Sequence, residues 1–330
     1  MIKIRTTDGK ITDVAYVVTD IAVAMAAGQD NILLDFCCEG PCLRHIGMYD
    51  ILDNLCRVFN YDHRRVTIVT ANFLEKHAKY QIKHQHQWYE LHDTLEHEDQ
   101  IGSFNKVFDQ SFCHFGNFIG HSNRHRLSVA SYLNAYHATS TQQTYHTQIG
   151  DFYHREHMGL EDIMFHGCTK SEFANAVNLI WSAPLQIDHT QRGPILCPDT
   201  LNITKVYPGF FVEIACLTFS SGNVFYVDEK IWRPMLMRTP FIVQGPQFLL
   251  SNLKRLGFKT FSNWWDEGYS EDCDETQVRG IYQVIDTIAK LPIHTLKEMY
   301  LDMQPVLDHN YNRMKELCDA DFNRAFNDQQ

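Results

Sequence analysis

The sequence has no run of apolar residues near the roughly 20 that crossing a bilayer requires, and its opening residues, MIKIRTTDGK, lack the apolar core of a secretory leader. Both absences predict a soluble chain that stays in the compartment where it is made, without a membrane partner. There is no Cys-x-x-Cys and no His-Glu-x-x-His, so the commonest zinc-holding spacings are missing. No internal repeat or low-complexity tract is evident, which sets aside solenoids and long disordered linkers. Positive charge is scarce: 29 Lys and Arg face 40 Asp and Glu, a formal net charge of -11. That balance repels a phosphate backbone at long range, so any contact with nucleic acid has to come from a local basic surface.

The ten cysteines do not read as a disulfide framework, because they are scattered, Cys37 and Cys38 are adjacent, and no spacing recurs. Reduced thiols account for them. Eighteen histidines invite a metal reading, yet neither His84 with His86 nor His154 with His157 has a Cys or carboxylate at recognised ligand spacing. Surface histidines are the expectation, and no metal is predicted.

What is present is a chain of 330 residues, 44% hydrophobic and 21% charged, long enough for two cores of ordinary size. Residues 31–37 (NILLDFC) read as a strand, Glu39-Gly40-Pro41 as a turn, and Met48, Leu52, Leu55 and Phe59 as one face of a helix. The β-branched run at 65–70 (RVTIVT) predicts a second strand, with a helix starting in FLEKHAKY after Ala71-Asn72. The polar stretch 81–106 reads as an exposed excursion. The pattern then repeats, with a strand at 112–120 and a helix at 123–133, and a further helix is expected at 171–181. Residues 210–291 give two buried strands (FFVEIACLTF and PFIVQG), a short helix (DEKIWRPMLM) between them, a helix stopping at Gly257 and another marked by Ile281, Ile285 and Ile288. The fold class is therefore α/β, with two Rossmann-like domains. The expected boundaries are 1–107, 108–292, and a helical tail at 293–330, broken at Pro305 and long enough to cross back over the first domain.

Two turns stand out chemically. Glu229 and Lys230 follow Tyr226-Val227-Asp228 where a strand gives way to a helix. A helix N-terminus offers unpaired N–H groups and partial positive charge, which suit a diphosphate, and a lysine there adds a cation without a metal. A solvated ion pair at a helix start is the equally weighted alternative. Asn123, Arg124 and Arg126 occupy a similar turn, where an arginine fork fits phosphate, although a basic helix start facing water explains them as well. Gly245 closes an apolar strand and permits close backbone approach. Trp264, Trp265 and Tyr269, beside Asp266 and Glu267, suit either a core or a sugar-stacking surface, with the core favoured.

The order Asn-x-x-Arg, then Tyr-Val-Asp-Glu-Lys-Ile-Trp-Arg-Pro (226–234), then Pro-Phe-Ile-Val-x-Gly (240–245) resembles the donor-binding half of the α-1,3-fucosyltransferase family. Glu-Lys-x-Trp-Arg-Pro, Leu-Gly-Phe-Lys-Thr-Phe (256–261) and Trp-Asp-Glu-Gly-Tyr (265–269) resemble glycosyltransferase-like proteins of tailed phages, as do Glu39-Gly40-Pro41 and the Thr70, Asn72, Glu75 stretch. The resemblance implies a GT-B glycosyltransferase, with Arg126, Glu229 and Lys230 on the diphosphate and sugar of a nucleotide-sugar co-substrate, Asn123, Arg124, Tyr226 and Gly245 around them, and no cofactor. Thr218-Phe219-Ser220-Ser221 departs from the family's Glu-Asn-Ser, so the sugar is not carried over. No Asp-x-Asp flanked by a strand is present, which agrees with metal-independent transfer.

Glycosyl transfer also needs a base for the acceptor hydroxyl. In an inverting enzyme the expected candidate is Glu39, at the end of the first strand, with Glu75 and Asp93 behind it and Asn72 nearby; a helix-capping carboxylate is the competing role for Glu39. The phage resemblance implies a cytoplasmic enzyme, in a host cell if viral, that moves glucose or arabinose from a UDP-sugar to hydroxymethylcytosine in DNA. Arg44, His45, Arg64 and Arg65 are the clustered positive residues available to such an acceptor. A lipid or protein glycan acceptor, and a non-catalytic nucleotide-sugar binder, remain open.

Overall fold

The computed structural model describes residues 2–5, 11–37, 40–85, 105–120, 122–145, 168–185, 198–220 and 222–319. They form a mixed α/β structure with two parallel sheets. The chain divides into two compact units: Met1–Trp88 with Ser221–Asp228 and Asp321–Gln330, and Tyr89–Ser220 with Glu229–Ala320.

In the first unit, β1 (Ile2–Arg5), β2 (Ile32–Phe36), β3 (Val66–Thr70) and β4 (Gln81–His84) lie parallel in that order. Alternation sets which residues turn inward: Ile32, Leu34 and Phe36 of β2 and Val66 and Ile68 of β3 are buried in one core. Helices α1 (Ile11–Ala26) and α2 (Met48–Val58) supply Val17, Ile21, Ala24, Met25, Met48 and Leu52 to the same core. At four- and three-residue spacings these line one helical face.

β1 and α1 were not anticipated from the sequence. The helix predicted in FLEKHAKY does not form: His77 Nδ1 accepts from Lys79 N at 3.2 Å, an N–H that a helix would give to the Glu75 carbonyl, and that carbonyl bonds to His84 instead. The chain instead crosses through residues 71–80 into β4, so the expected excursion from 81 begins as an edge strand.

The second unit holds β5 (Cys113–Ile119), β6 (Thr141–Tyr145), β7 (Phe210–Cys216) and β8 (Phe241–Gln244), all parallel, in the order β6-β5-β7-β8. Every residue of β7 is buried, as a strand covered on both faces requires. Among the described residues, six helices accompany them: α3 (Arg124–His137), α4 (Lys170–Ser182), α5 (Glu229–Leu236), α6 (Leu249–Arg255), α7 (Asp274–Ala289) and α8 (Ile293–Asp319). β6 falls in a stretch whose mixed composition gave no reading.

α8 runs unbroken through Pro305, correcting the expected break. An interior proline costs about 3 kcal/mol, but Tyr300 and Met303 before it and Leu307, Tyr311 and Met314 after it are all buried, so packing holds the helix on both sides. The helix packs on its own unit: Tyr300 donates to the Arg238 carbonyl and Asn310 pairs with the Lys259 backbone. Residues 320–330 lie outside the described residues.

Candidate functional site

Because the second sheet is all parallel, its strand ends Ile119, Tyr145, Cys216 and Gln244 share one edge, the edge at which α/β proteins bind ligands. α3 starts at that edge. Asn123 caps it, Oδ1 accepting the Arg126 N–H at 2.9 Å. Arg126 is only 5% exposed. Its Nε donates to the Leu217 carbonyl at 3.1 Å and its Nη2 to Thr218 Oγ1 at 3.0 Å, so the guanidinium is folded over the turn that leaves β7. Arg124, the first residue of α3, is half-buried.

α5 opens with Glu229 and Lys230. Lys230 is buried, and its ammonium donates to the Glu229 carboxylate. Burial pushes the Glu229 carboxyl upward, but the Lys230 and Arg233 cations outweigh it and hold the group below its ordinary value. The pair lies at a helix end that adds partial positive charge.

Cys216 connects the two turns. Burial pushes its thiol up to about 12, while Arg126, the Asn117 amide and Lys230 all pull it down. Beside Cys216 in register lies Gln244, 2% exposed, whose Nε2 and Oε1 have no hydrogen-bond partner among the described residues. Cys216, Thr218 and Gln244 were not singled out from the sequence; the one available signal was a polar residue ending the apolar run FIVQ.

Much of the conspicuous sequence around the site builds the fold. Arg233 of α5 donates to Glu213 of β7, and Tyr207 bonds to both, all three buried. A Cβ on Gly245 would come within 2.9 Å of Leu217 Cδ1 and 3.0 Å of Leu249 Cδ2, so packing accounts for that glycine. Trp265 and Tyr269 are buried, and Trp264 donates to Asp302 at 2.9 Å. Glu267 accepts from Phe261 N at 2.7 Å and Thr260 Oγ1 at 2.6 Å, closing the turn after α6.

In the first unit, Glu39 and Asp93 lie outside the described residues. Glu75 is buried and its carboxylate accepts from Leu43 N at 2.9 Å, Tyr49 Oη at 2.8 Å and Asn72 Nδ2 at 3.4 Å. Those three donors fix the carboxylate between the turn after β2, α2 and the loop after β3. Burial, then the bond to Glu75, push the Tyr49 hydroxyl well above its ordinary value, so it stays protonated as the donor. Tyr226 and Asp228 are buried in residues 222–228, which belong to this unit, while Glu229 and Lys230 belong to the other.

The four basic residues are not brought together. Arg44 and His45 follow β2 and so lie past the C-terminal edge, whereas Arg64 and Arg65 precede β3 at the opposite edge, a strand length of about 16 Å away. Arg64 pairs with Asp62 at 2.7 Å and Arg65 with Asp30 at 2.6 Å. Of the paired histidines, His84 bonds to the Glu75 carbonyl; His86, His154 and His157 lie outside the described residues. No group of three or more His, Cys, Asp or Glu able to hold a metal ion occurs among the described residues, and no helix among them is long and apolar enough to cross a membrane.

Protein-family models, curated proteins and solved structures give no significant match to the chain.

Proposed function

We propose that this chain is a GT-B glycosyltransferase that holds a nucleotide-diphosphate sugar, in the first instance a UDP-sugar, at the C-terminal edge of β6-β5-β7-β8 and transfers the sugar to a hydroxyl. The observation that carries the reading is a buried guanidinium, Arg126, held over the turn that leaves β7 by Leu217 and Thr218, together with a buried ammonium, Lys230, in the first turn of α5. Breaking a glycosidic bond to a diphosphate leaves negative charge on the departing phosphate. Fixed cations and a helix N-terminus stabilise that charge best when they are already in place and shielded from water. Arg126 brings planar donors held by Leu217 and Thr218, and Lys230 a point charge paired with Glu229.

Hydroxymethylcytosine in DNA as acceptor, with glucose or arabinose as sugar, rests on the tailed-phage resemblance alone. The experiment that tests the reading is incubation of the whole protein with a panel of nucleotide-sugars, with binding followed by calorimetry and released nucleoside diphosphate by chromatography. Binding with release supports transfer. Binding without release, with every hydroxyl acceptor tried including hydroxymethylated DNA, makes the chain a non-catalytic binder, and no binding to any nucleotide-sugar overturns the proposal.

A further inference from the structure

Asn72 uses its whole hydrogen-bonding capacity within the first unit. A carboxamide offers two donors and an oxygen with two lone pairs. Here Nδ2 donates to the Asn223 carbonyl at 2.9 Å and to Glu75 Oε2 at 3.4 Å, and Oδ1 accepts from Phe225 N at 2.9 Å and Leu74 N at 3.1 Å. The side chain is fully buried. Half of those bonds reach residues some 150 positions later in sequence, in the segment 222–228 that interrupts the second unit to join the first.

Two further contacts fasten that segment, and a third packs against Asn72. Phe73 N donates to the Phe225 carbonyl at 3.2 Å. Gly222, at φ +82°, lets the backbone approach Cys42, whose Cβ would stand 2.9 Å from an added methyl. Gly40, at φ +58°, lets the turn after β2 close on Asn72 itself, where a Cβ would fall 2.4 Å from Asn72 N. Residues 224–228 form neither helix nor strand, so bonds of this kind, not a regular ladder, hold their path. One peptide past Asp228 the chain re-enters the second unit as Glu229 and Lys230, the start of α5.

We infer that Asn72 is a positioning residue: it ties residues 222–228 to the first unit and thereby fixes the Glu229–Lys230 turn from which α5 begins. The inference rests on the reading of Lys230 as a donor-binding residue for its functional consequence, though not for its structural content. The short stretch between the tether and the cation leaves little slack. A loosened segment therefore frays the first turn of α5, where helix N–H groups have no partners of their own.

The test uses the full chain with Asn72→Ala and, in case that variant fails to fold, Gly222→Ala, which loosens the segment from its other side. Amide exchange read by mass spectrometry requires no ligand. Exchange in residues 229–236 is expected to rise about tenfold or more while β5 and β7 keep their protection, and affinity for UDP per folded molecule is expected to fall about tenfold. Unchanged exchange in 229–236 in whichever variant folds overturns the tether, and raised exchange with unchanged UDP affinity overturns the positioning role. Absence of UDP and nucleotide-sugar binding by the unaltered protein sinks the proposed function instead, and leaves the exchange measurement to decide the tether by itself.

Discussion

Arg233 on α5 and Glu213 on β7 form an ion pair that solvent scarcely reaches, their side chains being 1% and 0% exposed. It pins the helix that opens with Glu229 and Lys230 to the central strand that ends at Cys216. Removing one partner strands a buried charge: Arg233→Ala is expected to cost about 3–5 kcal/mol, whereas the double change Arg233→Met with Glu213→Leu costs far less. Urea unfolding of both variants checks this, and equal losses would show that the pair is not the unit of stability.

Lys230→Ala and Arg126→Ala should each weaken binding of a nucleotide diphosphate about ten- to a hundredfold, the loss of a charge-assisted contact. Calorimetry on the folded variants reads it. Unchanged affinity in both would remove these turns from the site.

Activity should survive exhaustive chelation, since the charge on the leaving diphosphate is assigned to Arg126, Lys230 and the N-terminus of α5. Turnover measured in excess EDTA decides the matter. Complete loss, restored by manganese or magnesium, would contradict the assignment.

The two first-unit glutamates should separate cleanly. Glu75→Gln disturbs a carboxylate that holds Leu43, Tyr49 and Asn72, so it should lower stability by about 1–3 kcal/mol and leave turnover per folded molecule near normal. Glu39→Gln should do the opposite if Glu39 is the base, cutting turnover about 100-fold or more with donor affinity intact. Melting temperature, donor affinity and turnover on both variants distinguish base from anchor, and a normal Glu39→Gln rate would return it to a capping role.

Buried phenols give the chain an alkaline limit. Burial pushes Tyr49, Tyr269 and Tyr282 well above the ordinary value of 10.0, with Glu75, Glu267 and Glu172 respectively adding to it. A folded value above the unfolded one means stability is fully present below pH 10 and drains away as pH rises beyond it. Absorbance titration should therefore show these tyrosines ionising in one step with loss of circular dichroism. Gradual ionisation of every tyrosine near pH 10 in a still-folded protein would refute this.

The sequence by itself determined the α/β class and most of the strands and helices, because period-2 and period-3.6 patterns report burial directly: Ile32, Leu34 and Phe36, or Ile281, Ile285 and Ile288, need no partner to be read. It also marked Arg126, Glu229 and Lys230, since charge at a strand-to-helix turn is a local pattern. Where a side chain competed for the backbone, as at His77, local pattern misled, and at Pro305 a local rule yielded to packing along both flanks.

Only the tertiary structure decided what those residues do with one another. That Glu75 holds Leu43 and Tyr49 depends on donors that arrive through the fold. That Arg44 and Arg64 lie at opposite edges follows from the shared direction of β2 and β3, and direction is invisible in a linear spacing. The same is true of Asn72, whose partners at Asn223 and Phe225 lie beyond most of the second unit in sequence: a hydrogen bond is a property of distance in space, and no periodicity along the chain encodes it.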